Sequence, residues 1–321
     1  MGSSIKKGFK TIIPIGLGIF LVWYSYNSTS PEERKQIIHY ISNASPLWVG
    51  LSVLIGILSH VSRAIRWKYM LKPLGYQPKL RSSVLIILMS YFANLGIPRS
   101  GEVLRATALT TYESVPFEKG FGTIVTERVI DLIMLLLIIV AALLLQTDII
   151  LEFLNDKGVN LIGAAVLLAS GILGLIIFLF LIRKSNSGIV LKLKNFLGGL
   201  LDGISSVLKM NNKWAFVFHT FLIWGCYVAM FWVIKFTVPE TINLSLSQLL
   251  VAFVGGAFAM STTNGGIGLY PIAVSSSLAI FGISSVSGDA FGWIMWIAQT
   301  LMIVVFGAIS FILLPLFNRN R

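Results

Sequence analysis

Two apolar runs in this chain are too short to cross a bilayer, and both stop at residues that break helices. Ser83 to Ile97 ends at Pro98, and Leu246 to Met260 runs into Ser261-Thr262-Thr263-Asn264-Gly265-Gly266-Ile267-Gly268. Each is followed by a second short stretch, about Arg99 to Tyr112 and about Leu269 to Phe281. Interrupted backbone survives at membrane depth only where protein or a wet cavity surrounds it. The pattern therefore predicts two helical hairpins, about 83–112 and about 246–283, each entering and leaving by one face, or else two kinked core helices.

Longer runs flank them. Phe9 to Tyr26, Leu47 to Ile65, Phe121 to Leu145, Leu161 to Ile182, Trp214 to Phe236 and Ala290 to Phe317 each approach the length of the hydrocarbon core. With 56% hydrophobic and 12% charged residues, too little polar surface remains to cover a water-soluble globule of 321 residues. The expectation is an all-α polytopic membrane protein, a single integral membrane domain over residues 1–321, with about six full spans and two hairpins. The first run follows Lys6, Lys7 and Lys10 and lacks a small-residue cleavage site, so it reads as a retained anchor.

The net charge of +12 does not point to nucleic acid, because the basic residues gather in short loops beside apolar runs. If the hairpins open to opposite faces, Lys6 to Lys10, Arg63 to Arg81, Arg183 to Lys213 and Arg319 to Arg321 share one side. Glu32-Glu33-Arg34-Lys35, Asp148, Glu152, Asp156, Lys157, Glu240 and Asp289 fall on the other. The basic side is then cytoplasmic, with both termini. Counting both hairpins as full crossings breaks that order, yet no strong sequence repeat supports an inverted symmetry. In 189–209, Leu193, Phe196, Leu197, Leu200, Leu201, Ile204 and Leu208 recur at helical spacing, which predicts an amphipathic helix on the cytoplasmic surface.

The chemistry concentrates in two charged groups set in apolar sequence, where charge is costly and marks function. Pro98 suits the first turn of a helix, and Arg99, Glu102 and Arg105 then fall three residues apart on one face. Guanidinium groups at a helix start attract phosphate. Asn94, Arg99, Glu102, Arg105 and Arg128 are the expected substrate-binding residues. Glu127 and Asp131 are expected to couple or to neutralise, because spacings of three and four bring Arg128 and Glu127 within reach of Asp131. An ion-pair ladder that only fastens the hairpin is the alternative.

Thr263, Asn264, Gly265, Gly266 and Gly268 read as a hinge or gate, with tight helix packing as the other reading. Arg63 and Arg66, which follow His60 at successive spacings of three, are expected to anchor the inner interface or receive a lipid phosphate there. Cys226, the one cysteine, excludes an intrachain disulfide and a cysteine metal cluster, and no metal or cofactor motif stands out.

Three blocks in order carry a resemblance. Arg63-Ala64-Ile65-Arg66-Trp67, then Asn94-Leu95-Gly96-Ile97-Pro98-Arg99-Ser100-Gly101-Glu102-Val103-Leu104-Arg105, then Glu127-Arg128-Val129-Ile130-Asp131 resemble the lysylphosphatidylglycerol synthase transmembrane family, also called flippase-like proteins. The resemblance implies a bacterial or archaeal inner-membrane protein that moves lipids between leaflets. Many relatives place proline before the glycine pair and glutamate three residues after the last glycine; here Asn264 and Pro271 stand there. Longer relatives carry a soluble domain that transfers an amino acid from tRNA, and that activity is not expected here. The expected function is transport of an anionic or phosphate-bearing lipid, phospholipid or polyprenyl-linked. Two other readings stay open: a membrane enzyme on a lipid-linked sugar or phosphate, and a noncatalytic subunit partnering a lipid-modifying enzyme. The oligomeric state is not legible.

Overall fold

A computed structural model of the chain describes residues 16–149 and 210–318, together with 152 and 170. The expected span Leu161 to Ile182 and the surface helix at 189–209 lie outside these residues, as does the start of the first span. Among the described residues all regular structure is helical. The helices are α1 (16–28), α2 (Pro31–Ser42), α3 (Pro46–Leu71), α4 (Leu80–Gly96), α5 (Ser100–Glu113), α6 (Phe117–Leu145), α7 (Lys213–Ile234), α8 (Leu246–Thr262), α9 (Leu269–Ala279) and α10 (Ser285–Phe317).

Among the described residues four stretches are long and apolar enough to cross a membrane: Pro46–Leu74, Phe117–Leu145, Lys213–Thr237 and Ser285–Phe317. On α6 and α10 the outward faces are leucine, isoleucine and valine, including Leu132, Leu136, Leu137, Val140, Leu301, Val305 and Ile312. Only 11% of the apolar window of α6 is buried within the protein, so most of that helix must meet an apolar solvent.

Contacts at the helix ends set the topology. At one end, Lys79 N–H donates to Glu113 Oε2 (3.2 Å), so α4 starts where α5 stops, and the Arg81 guanidinium lies over the Phe317 ring at the close of α10. Lys68, Lys72, Lys79, Arg81 and Lys119 gather there. At the other end, Gln146 after α6 donates to Ser247 at the start of α8 (2.6 Å), and the Trp48 ring packs at a tilt against Phe236. Glu240 accepts from the Ser284 amide (3.0 Å) where α9 hands over to α10.

The α4–α5 hairpin thus opens to the basic end and the α8–α9 hairpin to the opposite one. Their tips meet: Asn264 Nδ2 donates to the Leu95 carbonyl (2.7 Å), and Trp296 Nε1 on α10 donates to the Gly265 carbonyl (2.8 Å).

Among the described residues the two larger apolar cores support the two halves. Trp67, Leu71, Ile86, Ile87, Leu109 and Ile124 fill the space among α3, α4, α5 and α6. Trp224, Phe231, Phe253, Tyr270, Val274 and Phe291 fill that among α7, α8, α9 and α10. Where the helices press closest, glycine faces the neighbour: a methyl at Gly307 would overlap Phe92, and one at Gly292 would overlap Pro271.

Candidate functional site

The break in the first hairpin differs from the helix start expected at Pro98. Pro98 lies in the turn, and Arg99 caps α5 in the left-handed region (φ 61°). Gly101 N–H, an orphan donor of the first turn, is taken by Asn94 Oδ1 (2.7 Å), while the Ser100 hydroxyl bonds the Ala93 and Ile97 carbonyls (3.1 and 2.8 Å). Asn94 therefore builds the turn; its carbonyl oxygen is committed to backbone rather than offered to a substrate. Left-handed backbone in a non-glycine residue is costly and persists only where the surroundings impose it. It turns Arg99 outward, away from the face of α5 that carries Arg105, so the expected Arg99–Glu102–Arg105 row does not form a single site.

Arg105 points inward instead. It meets Glu127 with two hydrogen bonds, Nη1 to Oε1 and Nη2 to Oε2, both 3.0 Å, in the bidentate geometry that suits guanidinium and carboxylate. Its charge lies 3.9 Å from the centre of the Trp67 ring, and Trp67 Nε1 is satisfied by Thr123 Oγ1 (2.8 Å). Both partners are sealed, at 2% and 0% exposure, so Arg105 is a fastening between α5 and α6.

Arg63 and Arg66 do not form the interfacial landing surface expected of them. Both are buried, because α3 presents its inner face to α6 and α7 at that height, about 12 Å from the helix end for Arg63. Arg63 Nη1 bonds Glu127 Oε1 and Asp131 Oδ2 (2.7 Å for the latter), and its Nη2 donates to Tyr227 (3.1 Å). Arg66 reaches Asp131 Oδ1 (2.9 Å) and Thr220 (3.3 Å). The expected link of Glu127 and Asp131 to neighbouring arginines is present, with α3 supplying partners that spacing along α6 does not reveal.

Arg128 is the exception in this cluster. Its Nη2 meets Glu102 Oε1 (3.0 Å), its Nη1 stands 3.9 Å from Asp131, and it keeps 41% exposure, against 2% or less for the other three arginines. Four guanidinium groups thus face three carboxylates, an excess of one positive charge among the described residues of the cluster.

The cluster forms one wall of a cavity of about 400 Å³ between the two halves. Arg63, Arg128, Asp131, His60, Tyr91 and Tyr227 make its polar end; Leu135, Trp224, Phe231, Phe253 and Met302 make its apolar walls. Leu132 on α6 and Met260 on α8 also line it and are exposed at 55% and 39%. A charged end joined to an oily interior is the lining that an amphiphile requires.

At the second hairpin, Gly265, Gly266 and Gly268 all have positive φ (62°, 75° and 72°), which only glycine accepts without strain. Thr263 and Asn264 are buried, and a methyl at Gly268 would strike the backbone of α1 at Gly18. Sequence reasoning missed Tyr91, Tyr227 and Gln299 as cavity residues. Each sits in an apolar helix with no local motif, and only the packing of distant helices brings them together.

Comparison with known proteins agrees with this architecture. The chain matches the family described as Lysylphosphatidylglycerol synthase TM region over residues 11–307. It is 36% identical over 99 residues to a UPF0104 membrane protein of Methanocaldococcus jannaschii, a stretch that covers 30% of each chain. It is 30% identical over 102 residues to glycosyltransferase AglD of Haloferax volcanii, covering 32% of this chain and 16% of that one. A UPF0104 membrane protein of Methanothermobacter thermautotrophicus is 29% identical over 114 residues, 35% and 32% of the two chains. The similarity thus spans less than a third of each of these relatives' length. No solved structure matches the chain. With the family match running over nearly its whole length, the chain belongs to the lysylphosphatidylglycerol synthase transmembrane region family.

Proposed function

We propose that this protein binds the negatively charged headgroup of a membrane lipid in the cavity between its two halves and carries it from one leaflet to the other. The observation that carries this reading is the excess positive charge at the cavity wall, concentrated on the half-exposed Arg128 and backed by buried Arg63. A phosphate matches guanidinium donors in charge and geometry. The apolar walls suit the first part of the tails, while exposed Leu132 and Met260 mark a path by which the rest stay in lipid. The hairpins, opening to opposite ends and meeting at their tips, suit a barrier that opens on alternate sides. By the positive-inside tendency the end bearing Lys68, Lys72, Lys79 and Arg81 faces the cytoplasm of a bacterial or archaeal cell, with both termini on that side.

The test is leaflet exchange in vesicles with fluorescent phosphatidylglycerol. Protein should accelerate exchange, and Arg128→Gln should remove at least nine-tenths of the acceleration, about 1.4 kcal/mol or more. Equal rates for Arg128→Gln and wild type would refute the site. A second reading, chemistry on a lipid-linked sugar with Asp131 as acid or base, draws on the similarity to glycosyltransferase AglD. A changed lipid product on incubation with lipid-linked sugars would favour it.

A further inference from the structure

Resting on the headgroup reading above, we infer that Glu102 is a built-in competitor for the headgroup: its carboxylate occupies Arg128 when the cavity holds no lipid, and the arriving anion displaces it.

The contacts of Arg128 set it apart. Arg63, Arg66 and Arg105 are each buried and each meet Glu127 or Asp131 at 3.0 Å or closer. Arg128 has a single close carboxylate, Glu102, and shares with Arg63 the wall of the cavity. Glu102 does not line the cavity; it reaches Arg128 from α5 and ends at 22% exposure. The pair is under-satisfied. Glu102 Oε2 is buried without a hydrogen-bond partner, so one carboxylate oxygen contributes nothing to it; Arg128 Nε is unpartnered too, as is Nε of Arg63, Arg66 and Arg105. A phosphate offers more oxygens than this one-point contact uses, and a bidentate contact on Arg128 is the stronger one.

Displacement is local. The α5–α6 junction stays closed through the sealed Arg105–Glu127 pair, so Glu102 leaves by side-chain rotation without moving the hairpin. The consequence is selectivity, because a neutral or zwitterionic headgroup competes poorly with an intramolecular carboxylate. The empty site also never presents a bare guanidinium to the membrane interior.

The experiment measures binding of a short-chain fluorescent phosphatidylglycerol to the full-length protein in neutral detergent, with inorganic phosphate as a competitor. Glu102→Gln, which removes the charge, should tighten binding about threefold to tenfold. Glu102→Asp, which keeps the charge but falls short of Arg128, should tighten it by less. Arg128→Gln should abolish binding, and adding Glu102→Gln to it should restore none. Competition by inorganic phosphate alone would identify the phosphate group as what displaces Glu102; competition only by intact lipid would assign part of the displacement to the tails. If both Glu102 variants bind as wild type or more weakly while Arg128→Gln still loses binding, the competitor role is overturned and the site stands. If Arg128→Gln binds normally, the site reading fails, and the competitor role with it.

Discussion

The side-chain amide of Asn264 donates to the carbonyl of Leu95 over 2.7 Å, tying the tip of the second hairpin to the tip of the first. This bond replaces the helical partner that the Leu95 carbonyl loses when α4 ends at Gly96. Asn264 is buried at 5% exposure, so its amide has little water to turn to if the bond is not made.

Asn264→Ala should therefore destabilise the protein by about 1 to 3 kcal/mol, the cost of an unsatisfied buried polar group. Thermal unfolding in detergent checks this, and a midpoint unchanged from wild type would mean that the tips are not held by this contact.

Glu127 accepts from Arg63 and Arg105 and lies 3.8 Å from Arg66, with no exposure at all. Glu127→Gln leaves buried Arg105 with no carboxylate and leaves Asp131 alone to face Arg63 and Arg66. The expected loss is about 3 to 5 kcal/mol, the usual result of removing one partner from a buried ionic network. Yield and thermal midpoint in detergent report it. Arg105→Lys should also destabilise, because a lysine cannot form the paired contact with Glu127.

Gly101 sits where α5 starts against α4. A methyl there would overlap the Ser90 carbonyl and stand 2.8 Å from the Asn94 side chain, whose oxygen caps the Gly101 amide. Gly101→Ala should open the hairpin turn and cost about 1 to 3 kcal/mol. Gly122→Ala, with open space around its added carbon, should cost far less in the same assay.

At the end opposite the basic loops, Glu240 accepts from the Ser284 hydroxyl (2.5 Å) and from its backbone amide (3.0 Å) at the start of α10. These bonds, the Ser284 hydroxyl first, hold the Glu240 carboxyl below the ordinary value of 4.5. A carboxyl lowered in the folded state stabilises above its unfolded pKa, and that contribution fades as pH falls through the folded one. The thermal midpoint should decline below about pH 4.5, and Glu240→Gln should flatten that part of the decline. Parallel curves for the two proteins would contradict the assignment.

Much of this architecture was legible in the sequence, and the misses share one physical cause. Run length and the breakers Pro98 and Gly265-Gly266 mark the hairpins, since bilayer thickness and backbone sterics act locally. The opposed sense of the hairpins follows from charge bias in the loops. Spacing along α6 correctly relates Arg128 to Asp131, yet it gives no hint that Arg63 and Arg66 come across from α3 to bond carboxylates 64 and 65 residues away. Helical periodicity also placed Arg99 and Arg105 on one face, and a single left-handed residue at Arg99 undoes that row. Which arginines are sealed and which face the cavity depends on packing between helices, which no local pattern encodes.

Native mass spectrometry of gently extracted protein reads out whether the positively biased cavity holds an anionic lipid by Arg128. Wild type should retain one anionic phospholipid per chain through detergent exchange, and Arg128→Gln should lose that adduct while keeping its fold. Identical lipid adducts on the two proteins, or retention only of neutral lipids, would contradict the account.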